Sequence, residues 1–215
     1  MLKNLFGGIE AGGTKFICAI ANEDGNILQE KTIPTSSPDK TLKDVCKFFT
    51  QDACRYFPKL VGIGIGCFGP LDLNAQSVTF GSITTTPKPG WCNIQVRNIL
   101  QENLHLPVVI DTDVNSAALG EKMWGSDKNV NDILYITIGT GIGGGAIING
   151  NPIHGLIHPE MGHIYIPHDI MRDPFRGICP FHGDCFEGLA SGPALAERWG
   201  ITAEKLPIDH PAWEL

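Results

Sequence analysis

Two glycine-rich segments carry residue types suited to holding phosphate. They read Gly8-Ile9-Glu10-Ala11-Gly12-Gly13-Thr14-Lys15 and Gly139-Thr140-Gly141-Ile142-Gly143-Gly144-Gly145. Each borders an apolar β-run and leads into a second β-run rather than a helix. Because glycine has no side chain to block the approach, backbone N–H groups at such hairpins can converge on phosphate oxygens. We predict that the two hairpins bind the phosphate tail of a nucleotide. The alternative is that they are tight turns that hold no ligand.

Two familiar phosphate motifs fit these segments poorly. The second segment formally matches G-x-G-x-x-G, but a dinucleotide fingerprint opens a helix and is followed by an acidic residue about 20 positions on. Here Ala146-Ile147-Ile148-Asn149-Gly150 indicates a strand and a turn. The first segment ends in Gly-Thr-Lys rather than the Gly-Lys-Ser/Thr of a Walker loop. A pair of β-hairpins therefore remains the better interpretation.

Asp113 is the candidate general base. It lies in Asp111-Thr112-Asp113-Val114-Asn115, between an apolar strand pattern and a helical one. A helix cap is the ordinary role of such residues. Phosphoryl transfer to an alcohol, however, needs positioned phosphates, Mg²⁺ and one carboxylate to accept the hydroxyl proton. A carboxylate between two phosphate hairpins meets that need.

A third cluster has metal-ligand spacing. Cys179, His182 and Cys185 fall within seven residues, and His163 lies upstream. Two thiolates and two imidazoles are typical of a closed, tetrahedral structural zinc site. The alternative is a loop with incidental thiols. His105, His154, His158 and His210 show no such pattern and are expected at surface or loop positions.

The composition is that of an ordinary folded chain. The 215 residues are 42% hydrophobic and 18% charged, with a net charge of −7 and no basic run. Nucleic acid and anionic membranes are therefore not expected as partners. No apolar stretch approaches the ~20 residues of a membrane span, and the segment before the first glycines is too short for a signal peptide. We expect a cytoplasmic protein.

The predicted elements place the two hairpins in equivalent positions. Strands are predicted before and after each glycine turn, and an Asn/Asp-Gly turn follows each second strand. Helices are predicted at 41–56, 94–103 and 115–124, with another from Ser191. A repeated unit of this kind indicates two like-folded lobes. We place the boundary so that residues 1–116 form the first lobe and residues 117–215 the second.

The ordered set of motifs resembles the ROK family of sugar kinases, within the actin/hexokinase-like superfamily. It comprises both glycine hairpins, Gly62–Pro70, Thr112–Asn115, Ala117–Glu121 and Glu160-Met161-Gly162-His163. Thr86–Trp91 and the glutamate at position 10 are most similar to the bacterial fructokinases. The resemblance implies an α/β, two-lobed actin/hexokinase-like (ribonuclease H-like) fold. It also implies an ATP- and Mg²⁺-dependent kinase that converts D-fructose to fructose 6-phosphate.

The resemblance assigns roles to individual residues. Asp113 is the implied general base. Glu10 takes the place of an aspartate near the metal, and its longer side chain suggests Mg²⁺ contact through water. The implied phosphate-binding residues are Gly12, Gly13, Thr14, Lys15, Gly139, Thr140 and Gly141. The implied sugar ligands are Glu160, His163 and Glu187.

The family commonly carries zinc at the Cys179–Cys185 segment, often on three cysteines. The different spacing here leaves open whether His163 or His168 is the fourth ligand. Relatives usually run on for a further segment that binds adenosine, so the C-terminal part of the second lobe is expected to be missing. Three alternatives remain: a glucokinase, a mannokinase or broad hexokinase, and a truncated, catalytically impaired kinase. Dimers are usual in the family, so a homodimer is expected.

Overall fold

A five-stranded mixed sheet forms the first half of the molecule in a computed structural model, which describes residues 4–125, 129–155 and 158–213. Its strands are β1 (Leu5–Ala11), β2 (Lys15–Asn22), β3 (Ile27–Pro34), β4 (Leu60–Cys67) and β5 (Val108–Thr112), in the order β3-β2-β1-β4-β5. β1 pairs antiparallel with β2, whereas β4 runs parallel to both β1 and β5. Alternate residues of β1 are buried, as expected of a strand that packs one face on a core.

Two helices pack together beside this sheet. α1 (Pro38–Lys47) continues into a π-helical turn at Phe48–Asp52, and α2 is Val96–Leu104. The predicted helix at 41–56 thus begins earlier and ends earlier than expected, and the one at 94–103 is shifted by two residues at its start. Large side chains from the helices, strands and loops fill the core. They include Phe16, Phe48, Phe49, Trp91 and Leu100, all 0% exposed.

The third helix connects the two halves of the molecule. α3 (Asp113–Trp124) begins directly after β5, and the Thr112 hydroxyl caps it by accepting a hydrogen bond from the Asn115 amide at 3.2 Å. The helix contacts β4 and β5 of the first sheet and also the strands of the second. The predicted lobe boundary at residue 116 falls within α3 and remains a prediction.

A smaller sheet follows. It consists of β6 (Ile133–Ile138), β7 (Ile142–Ile148) and β8 (Asn151–Pro152), paired antiparallel in that order. Ile138 pairs with Ile142, so residues 139–141 form the predicted hairpin turn. After an irregular segment come α4 (Phe186–Ala190) and α5 (Gly192–Trp199). Within the described residues, no helix is long and apolar enough to cross a membrane.

Candidate active site and metal centre

The first glycine turn is an open hairpin end between β1 and β2. The Gly12 amide donates a hydrogen bond to the Lys15 carbonyl at 2.9 Å, and the Thr35 hydroxyl donates to the Gly12 carbonyl at 2.8 Å. The first bond closes the turn, and the second anchors it to the residue that follows β3. A Cβ added at Gly13 would meet no atom within 4 Å. The space above this turn is therefore free for a ligand.

The second glycine turn, between β6 and β7, also has open space beside it. The Gly139 amide donates to the Gly141 carbonyl at 2.9 Å, which closes a tight turn. A Cβ at Gly139 would also meet nothing within 4 Å. Thr140 is exposed at the tip of the turn. Both turns thus leave open space beside a glycine, through which a phosphate group could approach the backbone.

Asp113 lines a cleft of about 370 Å³ that lies between the strands leading into the two turns. Glu10 of β1 and Thr137 of β6 line the same cleft. Asp113 is the first residue of α3, and its Oδ1 accepts a hydrogen bond from the Val114 amide at 2.9 Å. The structure therefore brings together the predicted base and the predicted metal-side carboxylate, with their carboxyl groups in one cleft.

The surroundings of Asp113 favour a proton acceptor. The side chain is exposed on the cleft side, yet the protein around it raises the pKa of the carboxyl group above its usual value by desolvation. The charge of Glu10 also raises this pKa, whereas the Val114 amide and the charge of His158 lower it. A raised pKa makes the carboxylate a stronger base toward a substrate hydroxyl.

Glu160 lies on a second, larger cleft of about 730 Å³. His154 and His158 line this cleft with it, in the loop position predicted for them. The Glu160 amide donates to His158 Nδ1 at 3.2 Å, and the Glu160 carboxylate lies 3.4 Å from the same nitrogen. The hydrogen bond from His158 lowers the pKa of the Glu160 carboxyl group, so the group is held ionised.

Polar side chains from another loop complete the second cleft. Asp72, Asn74 and Thr84 line it together with Glu160. His158 Nε2 is buried and has no hydrogen-bond partner among the described residues. The cleft thus offers donors and acceptors in the mixture that a polyol requires.

His154 is a site residue that the sequence analysis missed. Its Nε2 lies 2.7 Å from Asp111 Oδ2, and the other oxygen of Asp111 accepts a hydrogen bond from Asn115 Nδ2 at 2.9 Å. This network ties the loop of the second cleft to the strand and helix that carry Asp113. No local pattern could have found the pair, because 43 residues separate its members. For His158 the sequence offered one indication of a site role, because this residue stands two positions before the predicted sugar ligand Glu160.

The predicted metal ligands do converge. The donor atoms of His163, Cys179, His182 and Cys185 all lie within 4.8 Å of one another. His163 Nδ1 is 3.7 Å from Cys179 Sγ and 3.5 Å from Cys185 Sγ, and His182 Nδ1 is 3.7 Å from Cys179 Sγ. Tetrahedral zinc–sulfur and zinc–nitrogen bonds would separate S from N by about 3.6 Å. The four side chains could therefore hold a metal ion.

His168 is not part of this group. Its Nδ1 lies 3.2 Å from Asp184 Oδ2, and its Nε2 contacts the Asp173 carbonyl at 3.0 Å. Arg198 of α5 also contacts the Asp173 carboxylate, at 3.0 Å. Of the two histidines left open by the sequence, His163 is the one that lies among the thiols. His168 instead ties the metal-binding loop to α5.

Glu187 lies between the metal group and the second glycine turn. Its Oε2 accepts a hydrogen bond from the Ile142 amide at 2.8 Å, and its Oε1 lies 3.9 Å from His163 Nε2. Neither Glu187 nor His163 lines either of the two clefts described above. Of the three predicted sugar ligands, Glu160 is therefore the one that lies on a cleft wall.

The chain is similar to known sugar kinases over most of its length. A profile of the ROK family matches residues 6–211. The chain is 49% identical to the fructokinase of Zymomonas mobilis over 199 residues, which cover 92% of this chain and 66% of that protein. It is 47% identical to the fructokinase of Lactococcus lactis over 210 residues, covering 98% and 69% of the two chains. The chain spans about two thirds of the length of these relatives.

Solved structures give the same result for the fold. The crystal structure of a ROK hexokinase from Thermus thermophilus superposes with a TM-score of 0.73 at 28% identity, covering 90% of this chain and 62% of that one. A ROK family glucokinase from Streptomyces griseus, solved in complex with glucose and AMPPNP, superposes with a TM-score of 0.70 at 28% identity, covering 90% and 59%.

Proposed function

Because this chain belongs to the ROK family of sugar kinases, we propose that it transfers the γ-phosphoryl group of ATP to O6 of D-fructose. Its fold is the α/β, actin/hexokinase-like fold of the ROK hexokinases. The observation that carries the proposal is the position of Asp113, which lines one cleft together with Glu10 of β1 and Thr137 of β6, the strands that lead into the two glycine turns. Desolvation raises the pKa of its carboxyl group. A carboxylate in this place can accept a hydroxyl proton close to phosphates held by the two turns.

The two glycine turns are the proposed phosphate site. Gly12, Gly13, Thr14 and Lys15 would bind phosphate oxygens from one turn, and Gly139, Thr140 and Gly141 from the other. The open space at Gly13 and Gly139 supports this assignment, because a phosphate group could approach the backbone amides directly. Glu10 would hold Mg²⁺ through water, as a carboxylate in the same cleft as Asp113. Bound Mg²⁺-ATP supplies the transferable phosphoryl group.

Asp113 would act as the base. Its carboxylate accepts the proton of the sugar 6-hydroxyl as that oxygen forms its bond to the γ-phosphorus, and the bond to the bridging oxygen of the leaving ADP breaks. Glu160 would accept hydrogen bonds from sugar hydroxyls at the second cleft. His163 and Glu187 would contribute Nε2 and Oε1, the atoms not used toward the thiols and the Ile142 amide.

Zinc is the proposed metal at the four-residue group. Two thiols and two imidazoles match its preferred donors, and the S–N separations of 3.5–3.7 Å match its tetrahedral geometry. Cys179 and Cys185 are buried, as expected of a closed structural site. Its proposed role is to hold an irregular loop in place. Cytoplasmic location and a homodimer remain predictions.

The experiment that tests the function is ATP- and Mg²⁺-dependent ADP release by this chain. Fructose, mannose, glucose and no sugar are compared side by side, with Asp113→Asn as the control for the assigned base. Strongest turnover with fructose supports the proposal. Strongest turnover with glucose or mannose supports the glucokinase or broad hexokinase alternative. No turnover from folded, zinc-loaded protein supports the impaired-kinase alternative and overturns the proposed activity of this chain.

A further inference from the structure

The carboxylate of Glu187 makes a contact besides the one proposed for a sugar. Its Oε2 is 2.8 Å from the backbone nitrogen of Ile142, the residue that follows the second glycine turn. The same oxygen also lies close to Gly141, the residue before Ile142. A Cβ added at Gly141 would be 2.7 Å from it. One oxygen of Glu187 is therefore engaged by the turn that is the proposed phosphate site.

A second bond holds the other end of the turn. The Gly192 amide, at the start of α5, donates to the Gly139 carbonyl at 2.8 Å. The segment from Glu187 of α4 to Gly192 of α5 thus contacts the turn at both of its ends, at Ile142 and Gly139. The turn is therefore hydrogen-bonded to this segment on both sides.

The same segment begins at the metal group. Cys185 is the N-cap of α4, and Glu187 lies in the first turn of that helix. His163 approaches from the opposite direction, with Nδ1 toward the thiols and Nε2 3.9 Å from Glu187 Oε1. Two of the four candidate ligands therefore border Glu187. A metal ion that fixes these ligands also fixes the start of α4.

We infer that Glu187 is a positioning residue through which metal binding at His163, Cys179, His182 and Cys185 holds the second glycine turn in its phosphate-binding shape. The inference rests on the proposed phosphate role of that turn. It adds that the metal serves the phosphate site as well as the loop. Loss of the metal should loosen the hydrogen bond between Glu187 and the Ile142 amide, and loss of Glu187 should have the same effect with the metal still bound.

Hydrogen exchange of individual backbone amides tests the coupling without any need for turnover. The zinc-loaded chain is compared with the chain stripped by a chelator, and Ile142 is followed against Ile147, a fully buried residue of the same strand. Stripping is expected to speed exchange at Ile142 by at least tenfold and to leave Ile147 unchanged. Equal acceleration at both amides would mean that the metal merely supports the fold, and it would overturn the inference.

Three variants separate positioning from general stability. Glu187→Ala should exchange rapidly at Ile142 while keeping its full zinc content, and stripping should add little more. Glu187→Gln should recover much of the protection, because its amide oxygen can still accept the Ile142 hydrogen bond. Glu197→Ala removes an exposed carboxylate from α5 and should behave as the parent. A Glu187→Ala chain that responds to stripping as strongly as the parent would contradict the inference.

Binding of inorganic tripolyphosphate, measured by calorimetry, connects the coupling to function. This probe has no adenine ring, so it reports on the phosphate site alone. Affinity is expected to fall about tenfold on stripping and in Glu187→Ala, a loss of about 1.4 kcal/mol. If exchange at Ile142 follows the metal but the parent binds no tripolyphosphate, the coupling stands and the proposed phosphate site fails. If the parent binds it and stripping has no effect on affinity, the inference fails and the site stands.

Discussion

Gly145 of β7 packs directly on Val114 of α3. A Cβ at Gly145 would lie 2.3 Å from the Val114 carbonyl oxygen and 2.7 Å from the Asn115 nitrogen. The second sheet therefore touches the helix one residue after Asp113. Because the strand with Gly145 also follows the second glycine turn, this contact sets the distance between the proposed base and one of the proposed phosphate sites.

The first prediction concerns that contact. Gly145→Ala should destabilise the chain by about 1–3 kcal/mol, because the added methyl group forces α3 and β7 apart. Gly120→Ala is the matched control on α3, where a Cβ meets nothing within 4 Å. It should stabilise the chain by about 0.5–1 kcal/mol through helix propensity. Urea unfolding of both variants checks the prediction, and equal stabilities would contradict the close approach.

Gly139→Ala should separate phosphate binding from folding. The added methyl group meets no protein atom, so the free energy of unfolding should stay within about 1 kcal/mol of the parent value. The methyl group does occupy the open space through which a phosphate would reach the backbone amides. Tripolyphosphate affinity should therefore fall at least tenfold. Unchanged affinity in calorimetry would remove the second turn from the proposed site.

Asp113→Asn should lower the phosphoryl-transfer rate by about 10²–10⁴-fold while sugar binding persists. In the parent, the rate should rise with pH as the carboxyl group, whose pKa is raised mainly by desolvation, loses its proton. Steady-state kinetics across the acidic range checks both points. A variant that turns over near the parent rate would show that another group is the base.

The same substitution should raise stability at neutral pH. A carboxyl group whose pKa is higher in the folded state than in the unfolded state binds more protons when folded. Stability therefore falls as the pH rises from the unfolded pKa through the folded one, and this loss persists at neutral pH. Because asparagine does not titrate, the Asp113→Asn variant does not lose this stability as the pH rises. Thermal melts of both proteins at pH 3 and pH 7 should show a gain for Asp113→Asn that is larger at pH 7.

Cys179→Ser should abolish stoichiometric zinc binding, because it removes one of two buried thiols. The irregular segment before α4 should then become more protease-sensitive, because no metal ion holds His163, His182 and Cys185 together. Cys54→Ser, at an exposed position outside the group, is the matched control and should keep the metal. Zinc content measured by atomic absorption in both variants tests this prediction. Full zinc content in the Cys179 variant would overturn the ligand set.

One face of β6 should bind hydrophobic probes. Leu134, Ile136 and Ile138 are 60%, 46% and 58% exposed on this edge strand, and such rows on an edge promote association. Ile136→Lys should reduce binding of an anilinonaphthalene dye and lower the tendency to aggregate. Ile147→Lys, at a fully buried position of β7, should unfold the protein instead. Dye binding that is the same for Ile136→Lys and the parent would contradict a free apolar face.

Local sequence patterns were enough to predict the candidate site residues and the type of most elements. Glycine between β-runs has one ready explanation, a hairpin with exposed amides, so both turns could be predicted from local pattern. Asp113 was identifiable because it follows a strand and begins a helix, which is where a side chain projects from a sheet edge. The thiol and imidazole donors were identifiable because metal ligands of these types occur at short, recognisable spacings.

Which residues meet across long stretches of chain depends on the tertiary fold. By sequence, His163 is the predicted ligand and His168 stays open as its alternative. The fold places His163 at the thiols and His168 at Asp184 and Asp173. His154 reaches Asp111, and Glu187 reaches the Ile142 amide, over separations of 43 and 45 residues. Local patterns constrain the backbone over a few residues, whereas such contacts depend on how whole sheets and helices pack. That packing is why a glutamate predicted as a sugar ligand has one oxygen hydrogen-bonded beside the second glycine turn.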